Sequence, residues 1–254
     1  MVEKINTNSE CVDFCNFWLD FKLYPYQERF LNYCINEKRV ASKWARQSGK
    51  SHSVAAYLTY RCVTSKVQVV IVSPTQSQTN ELYRKIRNFV NDNPILAGLL
   101  VKDTVTEMEF SNGSRILSLP EGNQGKTIRG YTADIIVQEE AGVISDEVVA
   151  TVITPMIASK PNGQIIKIGT PLGKNHFYRS CHDKDSPYKL ITVKWPEVLS
   201  VGQYSKEFIE EQQRDLLEVE FRQEYEAEFV EDENAFFPYA LVKMTQDDYI
   251  YLII

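Results

Sequence analysis

Apolar residues follow two alternating rhythms along this chain. Residues 67–73, 134–138 and 164–169 are near-continuous runs rich in β-branched residues, and residues 114–119 alternate polar with apolar. Runs of this length predict buried strands, with 39–45 as a further short strand and 188–194 as an edge strand. Between them the apolar spacing lengthens to that of helices: 12–21, 27–35, 50–62 (Val54, Tyr57 and Leu58 on one face), 76–90, 146–158 and a heavily charged stretch, 205–230. Strands alternating with helices predict an α/β fold, a mostly parallel sheet with helices on both faces. The expected organisation is a small helical N-terminal appendage (1–22), a main domain (23–235), and a segment 236–254 that begins a linker or a further domain. Its last apolar run, 249–254, ends abruptly and is expected to continue in a longer parent.

Composition narrows the class. At 254 residues and 43% hydrophobic content, one large core can form. A formal charge of −6 gives no general affinity for nucleic acid, so any DNA contact would come from a local basic patch. Arg84, Lys85 and Arg87 on the 76–90 helix are the candidate patch, with a solvated helix face as the simpler reading. Five cysteines make no C-x-x-C pair and three histidines make no cluster with them. Reduced thiols in a cytosolic protein are expected, with Cys11 and Cys15 as small buried hydrophobes. No apolar run approaches the roughly 20 residues that span a bilayer, so a soluble, intracellular protein with no membrane partner is expected.

Candidate chemistry lies at three strand ends. Arg46-Gln47-Ser48-Gly49-Lys50-Ser51 carries the G-K-[ST] end of a phosphate loop at a strand-to-helix turn, where backbone N–H groups and the helix dipole favour phosphate. Lys50 can reach the β/γ oxygens and Ser51 can hold Mg2+. The first glycine of G-x-x-x-x-G-K-[ST] is missing, because Trp44 stands there, and a bare G-K-S is a weak signal. The 134–138 strand runs into Glu139 and Glu140, adjacent carboxylates suited to a metal shell and to polarising a water. Thr170, between Gly169 and Pro171, could bond the catalytic Glu or the γ-phosphate, or belong to an ordinary turn. Upstream, Gln27 can both donate to and accept from an adenine edge, with Tyr24 near for stacking.

Together these residues resemble the ATPase domain of the large terminase subunit of tailed bacteriophages, over residues 23–240. That family's phosphate loop commonly has an Arg ahead of the Gln and the G-K-[ST], as at Arg46 and Gln47 here. Arg129-Gly130, Asp134, Gly169-Thr170-Pro171 and the run from Phe221 to Phe229 match its other motifs in order. The resemblance implies a P-loop (RecA/ASCE-like) ATPase motor domain that hydrolyses ATP to drive double-stranded DNA into a procapsid. It implies ATP and Mg2+ as cofactors. Gln27 and Tyr24 would meet adenine; Arg46, Gln47, Ser48, Gly49 and Lys50 the phosphates; Ser51 and Glu139 the metal. Glu140 would orient water, Thr170 sense the γ-phosphate, and Arg129 act in trans on a neighbouring subunit. Implied partners are DNA, the portal protein, the small terminase subunit and further copies of this chain in a ring on the procapsid, in the host cytoplasm. The family's nuclease domain is not expected in this chain, and Asp247 with Asp248 reads as a solvated turn.

One residue departs from the family pattern. Glu139 stands where the metal-shell residue is usually Asp, and a methylene more moves the carboxylate by about 1 Å against a metal that tolerates little geometric error. Reduced activity is the expectation. Two alternatives stay open: a two-lobed helicase-like translocase, for which 254 residues leave no second lobe, and a weakly active DNA-docking module, which Glu139 favours.

Overall fold

A computed structural model describes residues 7–122, 125 and 128–230. Its centre is an eight-stranded sheet: β1 (Arg39–Trp44), β2 (Gln68–Ser73), β3 (Leu100–Asp103), β4 (Glu107–Phe110), β5 (Arg115–Pro120), β6 (Ile135–Glu139), β7 (Gln164–Gly169) and β8 (Lys189–Val193), in the order β3-β4-β5-β2-β6-β7-β1-β8. The pairs from β5 through β8 are all parallel, and β4 pairs antiparallel with both β3 and β5. This is the predicted α/β class. Because β7 lies between β1 and β6, the loops leaving β1, β7 and β6 emerge side by side at the carboxyl edge, where α/β sheets hold their ligands.

Helices cover both faces. On one, α1 (Thr7–Trp18), α2 (Pro25–Asn36), α3 (Lys50–Thr64) and α4 (Gln76–Asn91) share the larger core, in which Trp44, Tyr57, Phe30, Leu82 and Ile86 are fully buried. Cys11 and Cys15 on α1 belong to that same core, so the N-terminal helix is bound to the domain by apolar packing. A short helix, α5 (Pro94–Ala97), leads from α4 to β3. The other face is covered by α6 (Asp146–Val148) with its continuation and by α7 (His176–His182). Beyond β8, α8 (Trp195–Ser200), α9 (Lys206–Asp215) and α10 (Glu218–Glu224) close the domain beside β1. Among the described residues, no helix is long and apolar enough to cross a membrane.

Three segments differ from the sequence expectation. The β3–β4 hairpin was not predicted: each strand has four residues, both carry charges, and a short, charged edge strand such as β3 keeps an exposed sheet edge from pairing further. The predicted helix 146–158 is present, but it passes from α6 into a π segment (Val149–Ile153) and a 3-10 turn (Thr154–Ile157), since Pro155 has no N–H to continue the α ladder. The predicted helix 205–230 divides at Leu216 and Leu217, which are extended. There the Glu220 carboxylate accepts from the Leu217 N–H at 3.0 Å and starts α10 afresh. The expected run 249–254 and Asp247 with Asp248 lie outside the described residues.

Candidate nucleotide site

The phosphate loop is built by turning carbonyls outward. The Ala45 carbonyl accepts from Ser48 Oγ at 2.6 Å, the Arg46 carbonyl from the Tyr204 hydroxyl, and the Gln47 carbonyl from Gln203 Nε2 at 3.4 Å. The Ser48 carbonyl accepts from the Tyr26 hydroxyl at 3.0 Å. With these oxygens engaged on the protein side, and with Gln47 (φ 56°) and Gly49 (φ 84°) left-handed, the loop forms a concave nest at the start of α3, suited to an anion. Trp44, at the place of the missing glycine, belongs to β1 and packs edge-on against Tyr26 and Phe30. Gly49 is fixed by a close approach, since a Cβ there would lie 2.6 Å from Gln27 Nε2.

Lys50 and Ser51 face the acidic strand end. Ser51 Oγ donates to Glu139 Oε1 at 2.9 Å, and Lys50 Nζ lies 3.5 Å from Glu140 Oε1. Glu139 is 5% exposed, and its second oxygen is buried with no hydrogen-bond partner. Burial pushes its carboxyl up to about 7, opposed by the Ser51 bond and the Lys50 charge. A carboxylate oxygen buried without a donor, beside a serine hydroxyl, has the chemistry of a hard-cation site, so Ser51 and Glu139 fit Mg2+. Glu140 adopts φ 50°, uncommon and mildly strained for a side chain with a Cβ. Two bonds hold it there: the Ala141 N–H to the Ile168 carbonyl and the Val143 N–H to the Glu140 carbonyl, both 2.9 Å.

The loop after β7 is packed backbone to backbone on this acidic turn. A Cβ on Gly169 would lie 3.0 Å from Ala141 N and 3.3 Å from Glu140 Cα, and one on Gly142 would lie 3.0 Å from the Thr170 carbonyl. Asn175 Nδ2 joins the two loops again, donating to the carbonyls of Gly142 (2.5 Å) and Leu172 (3.1 Å). The Thr170 loop and the Glu140 turn are thus in direct backbone contact. Thr170, Glu140, Lys50, Ser51 and Arg46 all line one cavity of about 600 Å3, within the size range of small-ligand sites.

Residues from the C-terminal helices finish the cavity. The Arg46 N–H donates to the Glu224 carbonyl at 2.8 Å, and the Arg46 guanidinium, 62% exposed, lies 3.6 Å from the Glu224 carboxylate. Gln203 and Gln223 line the same side. No local sequence signal marks Gln203 or Tyr204, and Glu224 lies in the Phe221–Phe229 run that matches a family motif; all three become neighbours of the loop through the packing of α8–α10. Gln27 is almost fully buried and does not line the cavity; its Oε1 accepts from the Tyr24 N–H at 2.8 Å and caps α2. Tyr24 reaches the rim through Gln203, its hydroxyl 3.1 Å from that residue's Oε1. Arg129 is exposed and also outside the cavity lining. Asp134, at the opposite edge of the sheet, accepts from the Gln68 N–H and pairs with Lys160, both at 2.9 Å.

Behind the loop after β7 a buried lysine and histidine lock β7 to α7. His176 Nε2 lies 3.1 Å from the Ile144 carbonyl, which can only accept, so Nε2 carries the proton and Nδ1 accepts from Lys167 Nζ at 3.0 Å. Lys167 also donates to Ser180 Oγ at 2.9 Å. Burial, then the Lys167 charge, pulls the imidazole down to about 4. A depressed pKa holds the neutral form in the fold, so this stability is full above the unfolded value of 6.5 and is lost as pH falls towards 4, by about 3 kcal/mol in all. We expect the destabilisation caused by His176→Asn, read from urea melts, to be about 2 kcal/mol smaller at pH 5 than at pH 7. A gap that does not change with pH would show that the imidazole has the same pKa in the fold as in the unfolded chain.

The chain is similar to known proteins over most of its length. The family model for the large terminase subunit, T4likevirus-type, N-terminal, matches residues 44–244. The large terminase subunit of Escherichia phage T5 is 26% identical over 213 residues, covering 80% of this chain and 44% of that protein. Among solved structures, the large terminase ATPase domain of Thermus phage P74-26 superposes with a TM-score of 0.71 at 21% identity, covering 86% of this chain and 98% of that one. The large terminase of a thermophilic bacteriophage, solved in complex with ADP, superposes with a TM-score of 0.66 at 13% identity, covering 82% of this chain and 54% of that one. The chain thus spans about half the length of the full-length relatives it matches. With the family model covering most of its length, and the fold shared with terminase ATPase domains, the chain belongs to the large terminase subunit family.

Proposed function

We propose that this chain is the ATP-hydrolysing domain of a motor that drives double-stranded DNA into a viral procapsid. The observation that carries the reading is the convergence of Lys50, Ser51 and Glu140 on one cavity, with Glu139 bonded to Ser51 and its second oxygen buried and unpartnered. Mg2+, when bound, would neutralise phosphate charge, and Ser51 with Glu139 would hold it. The loop N–H groups and Lys50 would bind the β- and γ-phosphates, with Arg46 at the open rim. A phosphate oxygen competes with Glu140 for the Lys50 ammonium, which frees that carboxylate to accept a proton from the attacking water. Thr170, on the loop packed against the Glu140 backbone, would carry the loss of the γ-phosphate into β7 and the Lys167–His176 lock. Gln27 and Tyr24 would serve adenine through the rim at Gln203, an assignment that requires Gln27 to leave its cap on α2.

Family membership supports the wider assignment: a ring of copies on the procapsid, in the host cytoplasm, with DNA, portal protein and small terminase subunit as partners. The division at residues 22/23 and 235/236 is retained as a working boundary, and no nuclease activity is proposed. Phosphate release measured with and without Mg2+ tests the reading, and nucleotide binding with no release in either condition would favour the docking-module alternative. Because Glu139 already reaches Ser51 directly, a shorter acid leaves more room for metal and water. Glu139→Asp is therefore expected to lower the Mg2+ concentration at half-maximal release several-fold. Release with a higher Mg2+ requirement in that variant would show that the longer acid is fitted to its site.

A further inference from the structure

A third cation lines the nucleotide cavity beside Arg46 and Lys50, and it comes from outside the phosphate loop. Lys85 is on α4, its side chain 17% exposed, and its Nζ is held 3.1 Å from Glu81 Oε1 one turn back on the same helix. The other two members of the expected basic patch turn away. Arg84 is 67% exposed, and Arg87 pairs with Asp103 of the edge hairpin at 2.7 Å. Arg84 and Lys85 share the Glu81 carboxylate, but of the three residues only Lys85 lines the cavity.

Sheet order fixes the side from which Lys85 approaches. α4 follows β2, next to β6, whereas α10 packs on the far side of β1 by β8. Lys85 thus enters at the end where Ser51, Glu139 and Glu140 meet, and its charge acts on Glu139 and on His52, the residue after Ser51. This end already holds two carboxylates against the single ammonium of Lys50, and a terminal phosphate adds more negative charge there. Glu81 precedes Lys85 by four residues, so it serves as a holder that keeps a long, flexible side chain near the cavity.

We infer that Lys85 is a γ-phosphate contact, delivered in cis by α4, that gives the site its preference for nucleoside triphosphate over diphosphate. This rests on the proposed ATP site. A point charge from a separate helix adds to affinity only when the terminal phosphate is there to receive it, so the two nucleotides should respond differently to its loss.

The test measures binding of fluorescent ADP and of a fluorescent non-hydrolysable ATP analogue, each with Mg2+, to the wild type, Lys85→Gln, Lys85→Arg and Lys50→Ala. Lys85→Gln keeps most of the aliphatic stem, and a matching thermal melt establishes that it folds. The expected result is about tenfold weaker binding of the triphosphate analogue with ADP changed less than twofold, and recovery of most of the loss in Lys85→Arg. A ratio of the two affinities equal to the wild-type ratio in Lys85→Gln overturns the inference, while loss of both nucleotides in Lys50→Ala leaves the ATP site standing. If Lys85→Gln does not fold, an unaltered ratio in Lys85→Met overturns the inference equally. A wild type that binds neither nucleotide overturns both.

Discussion

Replacing Glu140 with Gln is expected to lower ATP turnover by about a thousandfold while leaving ATP·Mg2+ binding within a few-fold of the wild type. The amide keeps the size and hydrogen-bonding reach of the carboxylate but cannot take a proton from water. Lys50→Ala is expected to lose turnover to the same degree and most nucleotide binding with it, because the ammonium that meets the phosphates is gone. The two variants therefore separate binding from chemistry in one cavity. Their folds should survive, since Lys50 and Glu140 are partly exposed and pair with each other rather than with the core. Phosphate release and equilibrium nucleotide binding on the same preparations check both points. Unchanged turnover in Lys50→Ala would remove the phosphate-loop reading, and equal loss of binding in Glu140→Gln would move that residue from chemistry to nucleotide affinity.

The parts of this domain legible in the sequence are those whose physics is local. The runs that became β2, β6 and β7 announce themselves by continuous burial, and the phosphate loop by a glycine and lysine between a strand and a helix. The resemblance implies one metal for Glu139 and Ser51, and the two side chains are bonded at 2.9 Å. What the sequence hid depends on chain segments far apart. Gly169 reads as a turn glycine, yet its demand is the Glu140 and Ala141 backbone across the sheet edge. Lys85 reads as one charge on a charged helix, and only the sheet order β2-β6-β7-β1 brings it to the cavity. Gln27 illustrates the reverse: an amide suited to a base edge is spent, in this conformation, on the cap of α2.

Arg129 is expected to act on the site of an adjacent subunit, and the geometry sharpens that expectation. The loop bearing it is pinned on both flanks: Gly125 (φ 69°) packs against Val148 and Val152, where a Cβ would come within 2.9 Å, and Ile128 is fully buried. On the far side the Ala133 N–H donates to the Met156 carbonyl at 3.1 Å. Between these anchors Arg129 is exposed, followed by the left-handed Gly130, and the acid that could have claimed it, Asp134, is paired with Lys160. An arginine presented outside its own cavity can serve a neighbour. Arginines supplied in trans contribute about a thousandfold or more to phosphoryl transfer, so isolated chains should be slow and activity per chain should rise steeply as rings form. Arg129→Ala keeps an intact pocket and Glu140→Gln keeps an intact arginine. In rings assembled from equal amounts of the two, about a quarter of the interfaces join one to the other in the productive order, so activity should return to about that fraction of the wild type. Activity per chain that stays flat while light scattering shows rings forming, with no recovery on mixing, would leave Arg129 a structural residue of its loop.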